Sequence, residues 1–329
     1  MGSIMVAGGA GYIGSHTLWM LRQRGFDAFA YDNLSEGHRA AVLDADLVQG
    51  DLADSALVER TLRERKVDAV FHFAAHCYVG ESVTEPAKYY RNNVVTTLAL
   101  LDSMRAAGVK QFVFSSTCAT YGNPVQERMD ESHPQWPINP YGWTKFMVER
   151  ALADYERAYG LRSVCLRYFN AAGAHPEGVI GEDHNIETHL IPLVLQAAAG
   201  RRAALKVFGN DYDTPDGTCI RDYIHILDLA EAHLLGLELL RRGEASAAFN
   251  LGNGAGYSVL DVIRCAEKVT GMKVPFEFAP RRAGDPARLV GDCQRAEKVL
   301  GWRQNWADLP SIISSAWRWH QQHPDGFAD

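Results

Sequence analysis

The chain has six cysteines, Cys77, Cys118, Cys165, Cys219, Cys265 and Cys293, and no two of them form a Cys-x-x-Cys pair. That spacing gives no support to a zinc ribbon or a dithiol redox motif, so no metal is expected. Positive charge is also short, with 33 Lys and Arg against 40 Asp and Glu and a formal net charge of −7. A general nucleic-acid binder needs a basic footprint to displace phosphate counterions, so no nucleic-acid partner is expected. A small anionic ligand gripped by a few arginines is compatible with this charge. No window approaches the roughly 20 apolar residues of a membrane span. The first strand-like run starts almost at Met1, with no basic leader before it, so a soluble cytoplasmic protein without a membrane partner is expected. Internal repeats and low-complexity linkers are missing as well.

What is present is an ordinary globular composition, 47 % hydrophobic and 22 % charged, over 329 residues. That length holds one large domain or two of average size. Ser3 to Gly8 is a short apolar run, Gly8 to Gly14 is glycine-rich, and Tyr12 to Arg24 has helical periodicity through Ile13, Leu18 and Leu21. The alternation continues with a strand at Ala28 to Asp32, a helix at Ser55 to Arg65 and a third buried strand at Ala69 to Phe73. Val95 to Ala107 reads as a helix, Gln111 to Ser115 as a strand, Thr144 to Tyr159 as a long helix and Ser163 to Tyr168 as a strand. Such alternation predicts an α/β fold, a Rossmann-type doubly wound parallel sheet. After Asn170 the texture changes to Gly, Pro, His and Asp. Residues 1–170 are therefore read as a dinucleotide-binding domain with return segments near 224–252, and 171–329 mainly as a smaller α/β substrate lobe.

Gly8, Gly11 and Gly14 follow a strand and open a helix. In that context Gly8 allows a tight turn, Gly11 a close approach of pyrophosphate to the backbone, and Gly14 close helix–strand packing. Exposed N–H groups at the helix start, from Tyr12 and Ile13 onward, can hold phosphate. Asp32 ends the next strand, where a carboxylate can accept from an adenosine ribose; a 2′-phosphate would meet its charge, which favours NAD over NADP.

Tyr141 and Lys145 are spaced i, i+4 after Asn139-Pro140, so they share one helical face. A phenol near pKa 10 is a poor base at neutral pH, and a neighbouring ammonium is expected to lower it. Ser115-Ser116-Thr117 closes the preceding strand, where a hydroxyl can share a substrate oxygen with the tyrosine. Each feature alone has an ordinary structural reading, as a helix face or a strand end. Their order makes a catalytic triad of Thr117, Tyr141 and Lys145 the stronger expectation.

In order along essentially the whole chain, Gly8–Ser15, Asp32-Asn33-Leu34, His72-Phe73-Ala74-Ala75, Val79-Gly80-Glu81-Ser82, Pro140-Tyr141-Gly142 with Lys145, and Leu166–Asn170 resemble the UDP-glucose 4-epimerase family. So do Phe208–Tyr212, Asp216-Gly217-Thr218, Arg221–His225 and Pro280-Arg281-Arg282 with Gly284-Asp285. The family consists of extended short-chain dehydrogenases. The resemblance implies that Tyr141 takes the 4-OH proton, that Thr117 holds the same oxygen, and that Lys145 holds the nicotinamide ribose. A transient 4-keto sugar would turn over and be reduced on its other face, with NAD retained between turnovers. NAD contacts would come from Gly8, Gly11, Tyr12, Ile13, Gly14, Asp32, Asn33, Asp51, Leu52, Phe73, Ala74, Ala75, Asn92, Ser115, Tyr141, Lys145 and Tyr168. The UDP-sugar would meet Thr117, Tyr141, Asn170, His189, Leu190, Val207, Phe208, Arg221, Tyr223, Val259, Arg282 and Asp285. A homodimer through the helices at Val95–Ala107 and Thr144–Tyr159 is implied too, against burial of both helices within one chain.

The chain also departs from the family. Cys77 stands where some members carry lysine, His189 where some carry asparagine, and Leu289 where side-chain size governs N-acetylated sugars. Substrate choice among hexose, N-acetylhexosamine and pentose pairs therefore stays open. A nucleotide-sugar dehydratase is the nearest rival, but it needs an acidic pair after the Ser/Thr position, and Cys118-Ala119 follow Thr117. A non-catalytic NAD-binding protein is the other rival, which the complete Thr117, Tyr141 and Lys145 set opposes.

Overall fold

A computed structural model describes residues 2–282 and 285–328. Gly284 of the Arg-rich motif lies outside the described residues. The strands are β1 (Ser3–Ala7), β2 (Ala28–Asp32), β3 (Leu47–Gln49), β4 (Val67–His72), β5 (Gln111–Thr117), β6 (Arg162–Tyr168) and β7 (Asn170–Ala172). They continue with β8 (Leu205–Phe208), β9 (Ile220–Arg221), β10 (Tyr223–His225), β11 (Ala247–Leu251), β12 (Tyr257–Ser258), β13 (Phe276–Ala279) and β14 (Arg288–Leu289). The helices are α1 (Tyr12–Gln23), α2 (Ser55–Glu64), α3 (Val79–Thr84), α4 (Pro86–Tyr89), α5 (Thr96–Ala107) and α6 (Pro140–Tyr159). After them come α7 (Leu190–Ala198), α8 (Ile226–Arg241), α9 (Val259–Thr270), α10 (Gln294–Leu300) and α11 (Leu309–Gln322).

Seven strands form one parallel sheet in the order β3-β2-β1-β4-β5-β6-β11. Because side chains alternate along a strand, β1 sends Ile4 and Val6 into one core and Met5 and Ala7 into the other. The first core lies under α1 and α8, the second under α2, α5 and α6. Burial on both faces explains why these strands read as continuous apolar runs. Helix α8 packs on α1, and β11 pairs with β6.

The elements differ from the sequence reading in several places. Leu47–Gln49 is an edge strand beside β2, so the run at Val67–His72 is the fourth strand; three half-exposed residues are too few to show an alternation. The long helix starts at Pro140 rather than Thr144. Asn139 caps it by accepting from Gly142 N at 2.8 Å, and proline suits the first turn because its missing N–H has no helical partner there. The helix expected from Val95 starts at Thr96, after a π-helical turn over Tyr90–Val95.

The remaining strands make three small sheets, β7 with β10, β12-β9-β14, and β8 with β13. They surround a separate core in which Ile191, Val194, Val262, Ile263, Ile312 and Ile313 meet from α7, α9 and α11. Asp222, fully buried, fastens the loops of this region by accepting from Asn253 N at 2.7 Å and Gly291 N at 3.0 Å.

Candidate active site

The strand order reverses between β1 and β4, and an open cleft lies there at the carboxyl ends of the strands. It is lined by ten of the residues expected to meet a cofactor: Gly8, Gly11, Asp32, Asn33, Asp51, Leu52, Phe73, Ala74, Ala75 and Asn92. Gly8 has φ +80°, and a Cβ there would lie 2.4 Å from Ala74 N. A Cβ on Gly14 would lie 2.0 Å from Gly8 O, which is why helix α1 can start so close to β1. At Gly11 the nearest atom would be 3.5 Å away, so only an incoming ligand needs that glycine. Gly11 caps α1 without a side-chain hydrogen bond, and no acidic residue occupies the first turn that contains Tyr12 and Ile13. The helix start therefore offers unscreened N–H groups and the positive end of a dipole.

Asp32 accepts from Ala10 N at 2.9 Å and Leu34 N at 2.8 Å, which fixes the carboxylate at the floor of the cleft. Burial raises its pKa, and the backbone donors work against that shift. Asn33 Nδ2 donates to Asp51 Oδ2 at 2.9 Å and closes the outer wall.

The second group sits where β5, β6 and α6 converge. Lys145 Nζ donates to Ser115 O at 2.8 Å, and the Ser115 and Tyr168 hydroxyls are hydrogen-bonded to each other. Thr117 is buried and accepts from Ala119 N at 3.1 Å, so its hydroxyl is oriented by the next turn. Burial lowers the Lys145 ammonium to about 8. Burial also raises the Tyr141 phenol well above its usual value, with Tyr168 and Cys77 adding to the shift and a hydrogen bond from Thr117 opposing it. This corrects the expectation of a lowered phenol. Nζ lies 6.0 Å from the Tyr141 ring centroid and is engaged by Ser115, and desolvation is the largest cause of the shift at each group.

Several residues that shape this site carry no spacing signal. Asn93, from the π-helical turn, accepts from His76 N at 2.9 Å and donates to Thr144 Oγ1 at 3.2 Å, tying the Ala75–His76 loop to α6. Glu36, His76 and Thr96 complete the cleft wall. Next to Ser116 and Tyr121, Arg167 and Glu149 form a buried bidentate pair at 2.9 and 2.5 Å. Ser116 Oγ and Gln135 Nε2 donate to the same carboxylate. Removing either ion would strand a buried charge at about 3–5 kcal/mol.

Toward the second region the expected substrate residues are less uniform. Asn170 sits on β7 with Nδ2 donating to Asp222 O at 2.7 Å, beside Tyr223 on β10. Arg221 is ion-paired with Asp285 and hydrogen-bonded to Ile220 O at 2.7 Å. The Arg282 guanidinium lies over the Phe208 ring, 4.1 Å from its centroid. His189 caps α7 just before Leu190, and Val259 opens α9. Val207 and Tyr223 pack into the third core, so their side chains serve packing first. Cys77 supplies no cation, and burial pushes its thiol up.

Residues 4–252 match the NAD dependent epimerase/dehydratase family. The chain belongs to that family. A UDP-glucose 4-epimerase of Halalkalibacterium halodurans is 51 % identical over 99 % of this chain and 98 % of its own length. Among solved structures, the Brucella ovis UDP-glucose 4-epimerase in complex with NAD superposes with TM-score 0.95 and 50 % identity, covering 96 % of this chain and 98 % of that one. The Stenotrophomonas maltophila UDP-glucose 4-epimerase, with NAD and formylated UDP-arabinopyranose bound, gives TM-score 0.95 at 40 % identity, covering 98 % and 99 %. For a member of this family, the Gly8–Gly14 cradle and the buried Asp32 carboxylate are a suitable seat for the cofactor in the family's name.

Proposed function

We propose that this chain is a UDP-glucose 4-epimerase that uses resident NAD to invert C4 of a UDP-sugar by transient oxidation to a 4-ketone. The observation that carries the reading is the joining of two sites on one sheet. A glycine cradle with a buried Asp32 lies at the carboxyl ends of β1 and β2, and Thr117, Tyr141 and Lys145 stand at the ends of β5 and the start of α6. Relatives and solved structures that carry this activity in their names match almost the whole chain.

NAD, when bound, supplies a reversible hydride acceptor whose positive ring also favours an ionised phenol. Tyr141 removes and returns the proton of the C4 hydroxyl, the cofactor's positive charge offsetting the burial that otherwise keeps the phenol protonated. Thr117 holds the same oxygen. Lys145, fixed by Ser115 O, keeps an ammonium beside the phenol and positions the cofactor ribose. The burial of all three excludes water, so the 4-keto sugar is not lost to side reactions. Arg221, Arg282 and Asn170 hold the diphosphate and uridine, since a planar guanidinium binds phosphate oxygens in pairs. Asp285 holds Arg221 in place.

Among the described residues, no helix is long and apolar enough to cross a membrane. A cytoplasmic homodimer is part of the proposal. It is supported by apolar side chains left exposed beside and on the α5 and α6 pair, Val95 and Met147 among them.

The purified protein, incubated without added cofactor with UDP-glucose, UDP-galactose, UDP-N-acetylglucosamine and UDP-xylose, should interconvert the glucose and galactose forms. Chromatography of the products reads this directly. No reaction with any of them, even with NAD supplied, would remove the C4-epimerase reading for these sugars and return the dehydratase and binding-protein readings.

A further inference from the structure

The loop between β7 and α7 draws Glu182, His184, Glu187 and His189 around one point, with one donor atom from each within 4.8 Å of the others. His184 Nδ1 lies 3.3 Å from Glu187 Oε2 and 3.5 Å from Glu182 Oε1, and His189 Nδ1 lies 3.5 Å from the Glu187 carboxylate. A tetrahedral ion with bonds of about 2.0–2.1 Å has ligand–ligand edges of roughly 3.3–3.4 Å. With Glu187 binding through Oε2, the two separations from His184 Nδ1 already match, while Glu187 Oε1 accepts from Thr188 N and His189 N. His189 Nδ1 and Glu182 Oε1, 2.6 Å apart, have to widen.

A second observation points the same way. Glu182 Oε1 and His189 Nδ1 are buried and make no hydrogen bond, despite their closeness. Buried polar atoms of this kind call for an explanation. Within the group His184 Nδ1 and Glu187 Oε2 are aligned as a hydrogen bond at 3.3 Å, whereas the close, unaligned approach of Glu182 Oε1 and His189 Nδ1 is that of two ligands to a shared ion. The carboxylates face imidazoles rather than a lysine or arginine, so two carboxylates and two neutral imidazoles would balance a dication.

We propose that Glu182, His184, Glu187 and His189 form a closed, structural site for a divalent cation of the zinc class. The expectation of no metal rested on cysteine spacing, which does not see a Glu-x-His-x-x-Glu-x-His loop. Four protein ligands leave no open position, so the ion takes no part in bond chemistry. Its place gives it a mechanical role. His189 caps α7, and Tyr12 of α1 and Tyr78 flank His184 edge-on, with ring centroids 6.3 and 6.1 Å away. The ion would staple the start of α7 to the edge of the cofactor cleft.

The test uses the full-length holoprotein, incubated with Zn2+, desalted and analysed by inductively coupled plasma mass spectrometry beside a Glu182→Gln/His184→Gln variant. About one ion per chain is expected in the wild type and at least tenfold less in the variant. Retained NAD and an unchanged circular dichroism spectrum certify the variant's fold, and His184→Gln alone replaces it if the pair does not fold. Co2+ in place of Zn2+ should give the intense visible bands of a four-coordinate site. Added Zn2+ should raise the Tm of the wild type and leave that of the variant unmoved. Substoichiometric metal in the wild type, or equal metal in both proteins, overturns the proposal. So does a wild type that binds no Zn2+ while the variant loses UDP affinity, which would assign the imidazoles to the diphosphate.

Discussion

The two halves of the cleft are built from different materials. The cofactor side is mostly backbone, with a turn, a helix start and glycines whose missing Cβ atoms leave room, braced by Asp32. The proposed substrate side is mostly side chains on short strands and loops, with Arg221 paired to Asp285 and the Arg282 guanidinium over the Phe208 ring. A site made of backbone tolerates little change in chain geometry and should fail by losing its shape. One made of charged side chains should fail one contact at a time and keep its shape.

The proposed catalytic group of Thr117, Tyr141 and Lys145 should show the largest effect. Tyr141→Phe should lower kcat by about 10²–10⁴-fold with NAD content and UDP affinity intact. Retained turnover would take Tyr141 out of the mechanism.

Two glycines sharpen the contrast on the backbone side. Gly14→Ala drives a Cβ to 2.0 Å from Gly8 O and should cost about 1–3 kcal/mol or more, together with the bound NAD. Gly11→Ala meets only an ordinary 3.5 Å contact and should leave the Tm of the NAD-free protein unchanged while weakening NAD binding. Equal losses of Tm in the two variants, read by thermal unfolding and by NAD content after denaturation, would erase the distinction.

Acid probes the buried histidines around the sheet. Burial brings His16 and His233 down to about 4 and His72 and His225 to about 3. A depressed folded pKa means that the folded state binds fewer protons than the unfolded one. The stability is therefore present above pH 6.5 and is lost as pH falls toward the folded value, roughly 2 kcal/mol per imidazole by pH 5. Urea unfolding at pH 7 and pH 5 should show the decline, and His233→Phe should remove one such share. An identical pH dependence in His233→Phe would mean that His233 is not neutral in the fold.

The smallest effect belongs to the substrate side. Arg282→Ala should weaken UDP binding about tenfold by calorimetry with NAD and Tm unchanged, since one charge-assisted contact is lost. Unchanged UDP affinity would return Arg282 to the surface.

The same division governs what the amino-acid sequence disclosed. Gly8, Gly14 and Asp32 were legible because a tight strand–turn–helix connection leaves few choices of residue, and the long strands were legible because both their faces are buried. Thr117, Tyr141 and Lys145 were legible by order and helical spacing. Their ionisation was not, because desolvation depends on neighbours such as Tyr168 and Cys77 that come from other segments. Asn93 and the Arg167–Glu149 pair gave no signal, since their partners lie 51 and 18 positions away. The short strand Leu47–Gln49 carries too few residues to show a period. On the substrate side Arg221 and Arg282 were found through resemblance alone, as charges in loops have no spacing of their own.

The most direct test of transient oxidation at C4 is turnover of UDP-glucose carrying deuterium at C4, in ordinary water, followed by NMR of the UDP-galactose formed. The account predicts that the deuterium is retained at C4 of the product, because the hydrogen is removed and returned without reaching solvent. Loss of the label to water, with protium at C4, would contradict it.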